Sequence, residues 1–507
     1  MVSVAIAYVG VKYFVARPHL AVVLVLTAPL FCAFYSRSAR KLEFAIIYMG
    51  LFFSFFYRAL RPMVFSNIIW VLIVPAVAFG YLFLATEGRS RFIIRNRLDK
   101  LFLSYMIYGC VMTGLGVVLL ANPQGVARAF VHAYLPCIFY FISRRYNTSS
   151  MPHIKKTLNL IWLLCCLIIA DAFVEYYFLK VMGMSNVVPW TARNIEIRIS
   201  QLPGTLGMDP TIPLRTISIL ASNKVLSMIV SALCCFVAGF LLLAGGRAKT
   251  LKYRSLFQRS NLINGILFGC LLMCSILLNS HASTVSLFVT VCILVAFVKH
   301  GKLRAVSLLA ILGLICYVFL GDFFIRFYHY RFLVPVMDKG SAVQYIFNLY
   351  PVIGEYVTSP LTLVFGKCIL QGGGIRGGEM SELRLFVYPV YYGIFWGVLA
   401  IFVAITILSY CRRLMALRHS RDALNAIGLA FFGFFLIYFF DVHYPSFDRH
   451  GPFELFFVMA GVLSSLYEMA YKRTEYSTAV TGGHVKQNAS KLYTSHLPLS
   501  PRSELRP

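Results

Sequence analysis

The sequence predicts an all-α membrane protein, a polytopic bundle of about 12–14 transmembrane helices with a large outer loop. Hydrophobic residues make up 59 % of the chain and charged residues 13 %, whereas soluble domains average about 45–50 % apolar and about 25 % charged residues. The mean hydropathy is +0.76. Many apolar runs reach the ~20 residues that a helix needs to cross a hydrocarbon core about 30 Å thick.

These runs give fourteen candidate spans, of which the first is the weakest because it is short and carries Lys12. The spans are 3–16, 20–35, 42–59, 65–85, 101–121, 126–143, 158–178, 218–244, 262–279, 282–299, 303–321, 384–410, 424–441 and 453–470. Residues 1–470 are therefore predicted to form one transmembrane domain. The remaining residues, 471–507, are rich in Ser, Thr, Gly, Pro and Lys and are predicted to be a disordered cytoplasmic tail.

Basic residues fix the predicted orientation. Six clusters alternate with the spans so that all six fall on one side, and the positive-inside rule makes that side, and both termini, cytoplasmic. The clusters are Arg37/Arg40/Lys41, Arg89–Lys100, Arg144/Arg145/Lys155/Lys156, Arg247–Arg259, Lys299–Arg304 and Arg412–Arg421. The net charge of +28 then reflects contact with anionic lipid headgroups, and nucleic acid is not an expected partner.

Two long loops, 179–215 and 322–383, fall on the opposite, outer side and also carry arginines. Topology does not explain cations there, so they indicate an anionic ligand. The second loop contains apolar stretches such as Leu361–Phe365 and is predicted to form short helices on or in the outer interface. The thirteen cysteines lie mostly in apolar spans without a CxxC pair, so neither a disulfide framework nor a metal site is expected. The many Phe and Tyr residues are expected mostly to contact lipid or to form aromatic belts at the membrane interfaces.

Two constellations lie at predicted outer ends of spans. Arg215 stands at the mouth of one span, with Asn223 about two turns inside; polar groups at that depth are functional candidates, although Asn223 can equally bond to a neighbouring helix. Asp171 and Glu175 are spaced i, i+4, so both carboxylates share one helix face. One of them can accept a proton or pair with an arginine, or the pair can simply order the bundle.

Two further constellations lie in outer loops. The loop Asp441–Gly451 holds His443, Arg449 and His450, groups suited to proton transfer and phosphate binding. The run Gly372–Glu379 carries Arg376 and is followed by Glu382 and Arg384. It formally fits GxGxxG, but no strand precedes it, so dinucleotide binding is rejected. It can be a hinge that closes over an anion, or only a flexible connector.

Several short motifs resemble the bacterial O-antigen polymerase and O-antigen ligase family. They are the stretch Arg215–Asn223, the turn Leu278–Ser283, the pair Ser381-Glu382, the glycines Gly393 and Gly397, and the histidine-bearing loop before the final span. The resemblance covers most of the chain in layout. His281 stands where arginine is commoner in that family.

The resemblance implies a metal-independent membrane glycosyltransferase of the C class in the bacterial inner membrane, without a cofactor. Its donor would be a glycan on undecaprenyl diphosphate, and a chain-length regulator is a possible protein partner. Arginines would hold the diphosphate, and His443, or else Glu175 or Asp171, would accept the proton of the incoming hydroxyl. Asn223, Glu382 and His450 would support them. The expected diphosphate ligands are Arg215, Arg193, Arg198, Arg326, Arg331, Arg376, Arg384 and Arg449.

Three activities stay open on this basis. A polysaccharide polymerase, which adds the glycan to a lipid-linked repeat unit, is the first expectation, and an O-antigen ligase of the same family is the second. A flippase for lipid-linked oligosaccharides also has many spans and internal cations. Such transporters usually show repeated halves and interrupted helices with charges at the midplane, whereas the polar groups here gather at the outer ends of spans.

Overall fold

The computed structural model of the protein describes residues 38–60, 77, 78, 81, 93–120, 126, 130, 134–148, 150–177, 223–243, 261–277, 281–297, 313, 360–366, 392–416, 423–440 and 452–481. All regular secondary structure within these ranges is helical. The α-helices are α1 Ala39–Leu60, α2 Arg97–Leu120, α3 Ile138–Asn147, α4 Met151–Tyr176, α5 Asn223–Leu243, α6 Asn261–Leu277, α7 His281–Phe297, α8 Pro360–Phe365, α9 Ile394–Ala416, α10 Ala423–Phe440 and α11 Pro452–Thr481.

Four helices are long and apolar enough to cross a membrane, as judged by length and composition. They are α2, α4, α9 and α11, over Arg97–Val118, Met151–Val174, Ile394–Ala416 and Phe453–Ala470. Shorter apolar segments lie in α5, α6, α7 and α10. The predicted all-α class is therefore confirmed for the part of the chain that the structure describes, and the total of 12–14 spans stays a prediction.

One predicted span, 126–143, is interrupted. A turn at Tyr134 and a 3-10 helix over Leu135–Cys137 precede α3, which begins at Ile138. Pro136 explains the break, because proline has no N–H and its ring clashes with the carbonyl four residues earlier. All ten residues of α3 are buried. Helix α3 continues to Asn147, so the prediction that Arg144 and Arg145 lie in a loop was wrong.

Two other helices differ from the predicted spans at their ends. Helix α9 falls in the span predicted over 384–410; it begins at Ile394, after a break at Gly393 whose φ is 88° and which follows helical Tyr392, and it runs on to Ala416. Helix α11 continues to Thr481, past the predicted limit of residue 470. A helix need not stop where its apolar residues stop, because its interior backbone groups satisfy one another whether or not lipid surrounds them.

Helix α5 stands at the centre of the bundle and packs against α10, α6 and α7. Helix α3 packs between α1 and α11, and α9 joins α10 to α2 and α11. In the apolar segment of α11, 89 % of the residues are buried, whereas in the apolar segment of α2 28 % are buried. A helix that is apolar on every side belongs in the interior, whereas α2 presents exposed Val111 and Val118 at the periphery.

Within the described helices many aromatic side chains fill the bundle interior, contrary to the expectation that most of them contact lipid or form interface belts. Phe431, Phe434 and Phe435 of α10 are fully buried. The rings of Phe236 and Phe431 meet at 5.3 Å between centroids and 85°, and those of Phe435 and Phe456 at 5.4 Å and 89°. Edge-to-face contacts of this kind stabilise one helix arrangement by more than the buried apolar area alone would.

A glycine sets the closest approach of α5 and α10. A Cβ added at Gly239 would overlap the backbone of Ala430. We expect Gly239→Ala to separate these helices and to lower the free energy of unfolding by about 1–3 kcal/mol. The control is Gly265→Ala on α6, where a Cβ meets open space and alanine favours the helix by up to about 1 kcal/mol. Denaturant unfolding in detergent measures both, and equal losses would contradict the packing described.

Candidate functional site

The structure describes three of the predicted site residues. Asp171 and Glu175 lie one turn apart on α4, and Asn223 is the first residue of α5. Asp171 is partly buried and stands 20 residues beyond Met151, about 30 Å along the helix. The other predicted residues lie outside the described part of the chain: Arg193, Arg198, Arg215, Arg326, Arg331, Arg376, Glu382, Arg384, His443, Arg449 and His450. Their roles stay predictions.

A network of buried ion pairs lies at the opposite end of the bundle, and sequence reasoning missed it. We call it the Arg144 network; its charged members are Arg95, Asp99, Arg144 and Glu468. The Nε of Arg144 donates to Asp99 Oδ1 at 3.1 Å, and its Nη2 donates to Glu468. Its Nη1 donates to Ser465 Oγ at 3.2 Å. All three guanidinium nitrogens are therefore engaged, as a buried arginine requires.

Asp99 also organises the start of α2. Its Oδ2 accepts the backbone N–H of Asn96 at 3.1 Å, and Asn96 Oδ1 accepts the N–H of Asp99 at 2.9 Å. This reciprocal pattern is a capping box. The Oδ1 of Asp99 accepts the hydroxyl of Tyr140 as well as Arg144. The sequence Asn96-Arg-Leu-Asp99 is the signal from which this cap could have been predicted.

Glu468 completes the network from α11. Its Oε1 accepts Arg95 Nη1 at 3.1 Å, and its Oε2 accepts Arg144. Arg95 is 54 % exposed, whereas Arg144 is fully buried. Burial alone would lower the pKa of Arg144, but the negative charges of Asp99 and Glu468 outweigh that effect. The pKa is raised above its ordinary value, so the guanidinium stays charged. Two cations and two carboxylates make the network neutral.

A second cluster adjoins the first. We call it the Glu43 cluster; it consists of Arg40, Glu43, Tyr81 and Arg145. Glu43 Oε1 accepts Arg145 Nε at 2.7 Å and the hydroxyl of Tyr81 at 3.1 Å. Its Oε2 accepts Arg40 Nη1 at 3.1 Å. The guanidinium of Arg145 lies 5.5 Å from the centroid of the Tyr81 ring, a cation–π contact. One carboxylate thus holds two arginines, and a positive charge is left over.

The Arg144 network and the Glu43 cluster bring together residues from three of the six predicted basic clusters. Arg40 belongs to the first, Arg95 to the second, and Arg144 and Arg145 to the third. At the same end, Arg413 of the sixth donates to Tyr467 Oη at 2.9 Å. The predicted placement of these four clusters at one end of the bundle agrees with the structure. Which side of the membrane this end faces stays a prediction.

The Arg144 network holds helices together and offers little for chemistry. Its carboxylates already accept hydrogen bonds from arginines, and burial keeps water from them. No group of three or more His, Cys, Asp or Glu side chains within the described ranges is placed to hold a metal ion.

About half-way along α2, a piece of the long predicted outer loop packs against the bundle. Helix α8, Pro360–Phe365, coincides with the apolar stretch from which a short helix was predicted. Tyr108 of α2 donates through its hydroxyl to the carbonyls of Tyr392 at 3.2 Å and Val364 at 3.5 Å. Gly393 packs against Val364 as well. Residues 366 and 392, which flank the segment carrying Arg376, Glu382 and Arg384, are therefore both anchored near Tyr108.

The depth of this anchor follows from helix geometry. Tyr108 lies eleven residues after Arg97, about 16 Å along α2 from the end that bears Asp99. That distance is about half of the ~30 Å hydrocarbon thickness. Leu361 and Val364 of α8 remain exposed, which suits a segment that meets lipid. The long loop is thus tied into the bundle well below the end of the spans.

Replacing Arg144 and Arg95 one at a time with glutamine tests the Arg144 network. Arg144→Gln leaves Asp99 buried without a cation and leaves Glu468 with only the half-exposed Arg95, so we expect a loss of about 3–5 kcal/mol in the free energy of unfolding. Arg95→Gln removes a half-exposed arginine from the same Glu468 and should cost less than about 1 kcal/mol. Denaturant unfolding in detergent compares them. Similar losses for the two variants would show that burial of Arg144 is not decisive.

Gly393 tests the anchoring of α8. An alanine there must hold a positive φ, which costs about 1–2 kcal/mol, and its Cβ would overlap the carbonyl oxygen of Val364. We expect Gly393→Ala to release α8, so that amide hydrogen exchange at residues 361–366 becomes faster. Gly269→Ala, where a Cβ meets open space, is the control. Unchanged exchange in Gly393→Ala would contradict the anchor.

Comparison of the chain with known protein families, characterised proteins and solved structures finds no match.

Proposed function

We propose that the protein is a polysaccharide polymerase of the bacterial inner membrane, with 12–14 spans and a C-class glycosyltransferase layout. It would transfer a glycan from undecaprenyl diphosphate to a sugar hydroxyl of a lipid-linked repeat unit at the outer face. The proposal rests on the sequence layout, which puts arginines in two long outer loops, and on the motifs that resemble the O-antigen polymerase and ligase family.

The position of α8 is the structural observation that supports this proposal most directly. A lipid-linked diphosphate sits at the boundary between headgroups and hydrocarbon, about 15 Å from the middle of the membrane, so an enzyme that acts on it needs cations that reach that boundary from its anchored segments. Helix α8 and Gly393 tie both flanks of the segment bearing Arg376 and Arg384 to Tyr108. An extended residue spans at most about 3.6 Å, so Arg376, ten residues beyond Gly366, stays within about 36 Å of the anchor.

The proposed reaction asks little of the protein beyond position and charge. The hydroxyl oxygen of the acceptor sugar forms a bond to the anomeric carbon of the donor, and the bond from that carbon to the diphosphate breaks. His443, or else Glu175 or Asp171, takes the hydroxyl proton. Arginines such as Arg215 bind the diphosphate bidentately and stabilise the negative charge that develops on it.

The interrupted helix before α3 is an observation that favours the flippase alternative. Broken helices are common in transporters, where they line a path through the membrane. A flippase, however, must open both ends of its bundle in turn. Opening the end that holds Arg144 would separate buried charges from their partners, at about 3–5 kcal/mol for each stranded charge. The closed, neutral network therefore favours an enzyme that works from the other end.

Deleting the gene and separating the surface glycans of the host by electrophoresis tests the proposal. A polymerase predicts that the ladder of chain lengths collapses to a single repeat unit and that the wild-type gene restores it. Arg215→Ala should lower the rate about 10²–10³-fold, because a charge contact to the leaving group is lost. His443→Ala should lower it about 10²–10⁴-fold, through loss of the base. Arg418→Ala, in a predicted cytoplasmic loop, should restore the ladder fully.

Other outcomes identify the alternatives. Full-length chains that remain on the carrier lipid would mean a ligase, and repeat units trapped on the cytoplasmic face would mean a flippase. A normal ladder in both Arg215→Ala and His443→Ala would overturn the roles assigned to these two residues. The polymerase proposal itself would then be decided by the ladder of the deletion strain.

A further inference from the structure

The Glu43 cluster carries more positive charge than its own carboxylate neutralises. Arg40 and Arg145 both donate to Glu43, and the Arg144 network beside it is neutral and closed. Two guanidinium groups held together by one carboxylate repel each other. An additional anion at this place would relieve that repulsion.

One nitrogen of this cluster is buried without an acceptor. Arg145 is 5 % exposed, and its Nη1 has no hydrogen-bond partner within the described ranges. A buried N–H of a charged group that donates to nothing costs free energy. Arg145 Nε is already committed to Glu43, so the Nη1 calls for an acceptor oxygen from outside these residues.

Further cations surround the cluster at the surface. Lys41 on α1 and Lys155 and Lys156 on α4 are exposed. His153 lies within range of the charges of both Arg40 and Lys156, so these groups share one surface. Helices α1 and α4 both begin here, at Ala39 and Met151, and the N-terminal end of a helix carries a partial positive charge that favours anions.

The adjoining face of α4 indicates what kind of anion fits. From Lys156 towards the C-terminal end of α4, the exposed residues recur at helical spacing and are mainly apolar. They are Asn159, Leu163, Cys166, Leu167, Ala170, Phe173 and Val174. A free phosphate ion would use only the cations. A phospholipid uses both parts, since its acyl chains can lie along the apolar face while its headgroup meets the lysines.

We propose that Arg40, Arg145, Lys155 and Lys156 form a binding site for one anionic phospholipid, whose phosphate lies at the Glu43 cluster and whose acyl chains lie along α4. The site is independent of the proposed polymerase reaction and lies at the opposite end of the bundle. The surplus positive charge selects a headgroup with a net negative charge over a zwitterionic one.

Native mass spectrometry of the purified full-length protein in neutral detergent tests the site with two probes, dioleoylphosphatidylglycerol and dioleoylphosphatidylcholine. We expect the anionic lipid to bind more tightly. Lys155→Gln/Lys156→Gln should weaken its binding about 25-fold, about fivefold for each lysine. Both lysines are exposed, so the variant should fold. Arg145→Lys, which keeps the charge but loses the planar fork, should also weaken binding.

The matched control removes two exposed cations elsewhere at the same end, Lys100→Gln/Arg412→Gln. It should leave binding of the anionic lipid unchanged. Equal weakening by the two double variants would mean diffuse surface charge and would overturn the site. Equal affinity for the two lipids would overturn it too. Displacement of the lipid by an equal concentration of glycerol phosphate would show a phosphate site to which the acyl chains add nothing.

Discussion

The guanidinium group of Arg144 is the constraint on which the described end of the bundle depends. It sits on α3, whose every residue is buried, and it bonds to Asp99 of α2 and to Glu468 of α11. The attraction of a buried charge to the carboxylates only offsets the cost of removing it from water. Loss of either carboxylate would therefore leave an uncompensated charge and destabilise the bundle. The relative positions of three helices are therefore fixed by directional contacts, in addition to the apolar packing around them.

Arg144 and Arg145 are adjacent in the chain, yet they serve different clusters. Successive residues of a helix point about 100° apart, so Arg144 faces Asp99 and Glu468 while Arg145 faces Glu43 and Tyr81. The Arg144 network is neutral and engages all three guanidinium nitrogens of Arg144, whereas the Glu43 cluster keeps a surplus positive charge. The Arg144 network therefore has a structural role, whereas the Glu43 cluster has the properties of a binding site.

Hydropathy was sufficient to locate several helices. It failed where buried charges or backbone conformation determine how a helix begins, ends or packs. The spans predicted over 262–279, 282–299 and 424–441 agree closely with α6, α7 and α10. Arg144 was assigned to a loop because its partners Asp99 and Glu468 are distant in sequence, and a local count of basic residues does not see them. The break between helical Tyr392 and the start of α9 depends on the positive φ of Gly393, which hydropathy does not report.

The candidate site was less accessible to sequence reasoning than the fold. The predicted arginines were chosen because they lie in outer loops, a criterion that gives their side of the membrane but not their mutual distances. The Glu43 cluster went unnoticed for a different reason. Its one acid stands beside basic residues at the start of an apolar run, where positive charge was expected on topological grounds. Only the pairing in space distinguishes Arg145 from an ordinary orienting cation.

The pairing of Arg144 with Glu468 also sets an order of events during synthesis. The two residues are 324 positions apart, and at about 5–20 residues per second the ribosome needs about 15–65 s to make the chain between them. Asp99 precedes Arg144, so that pair can form early, but the guanidinium must wait for its second carboxylate until the last described helix is made. During that interval the half-assembled protein carries an incompletely satisfied charge, which headgroups, water or the insertion machinery must accommodate.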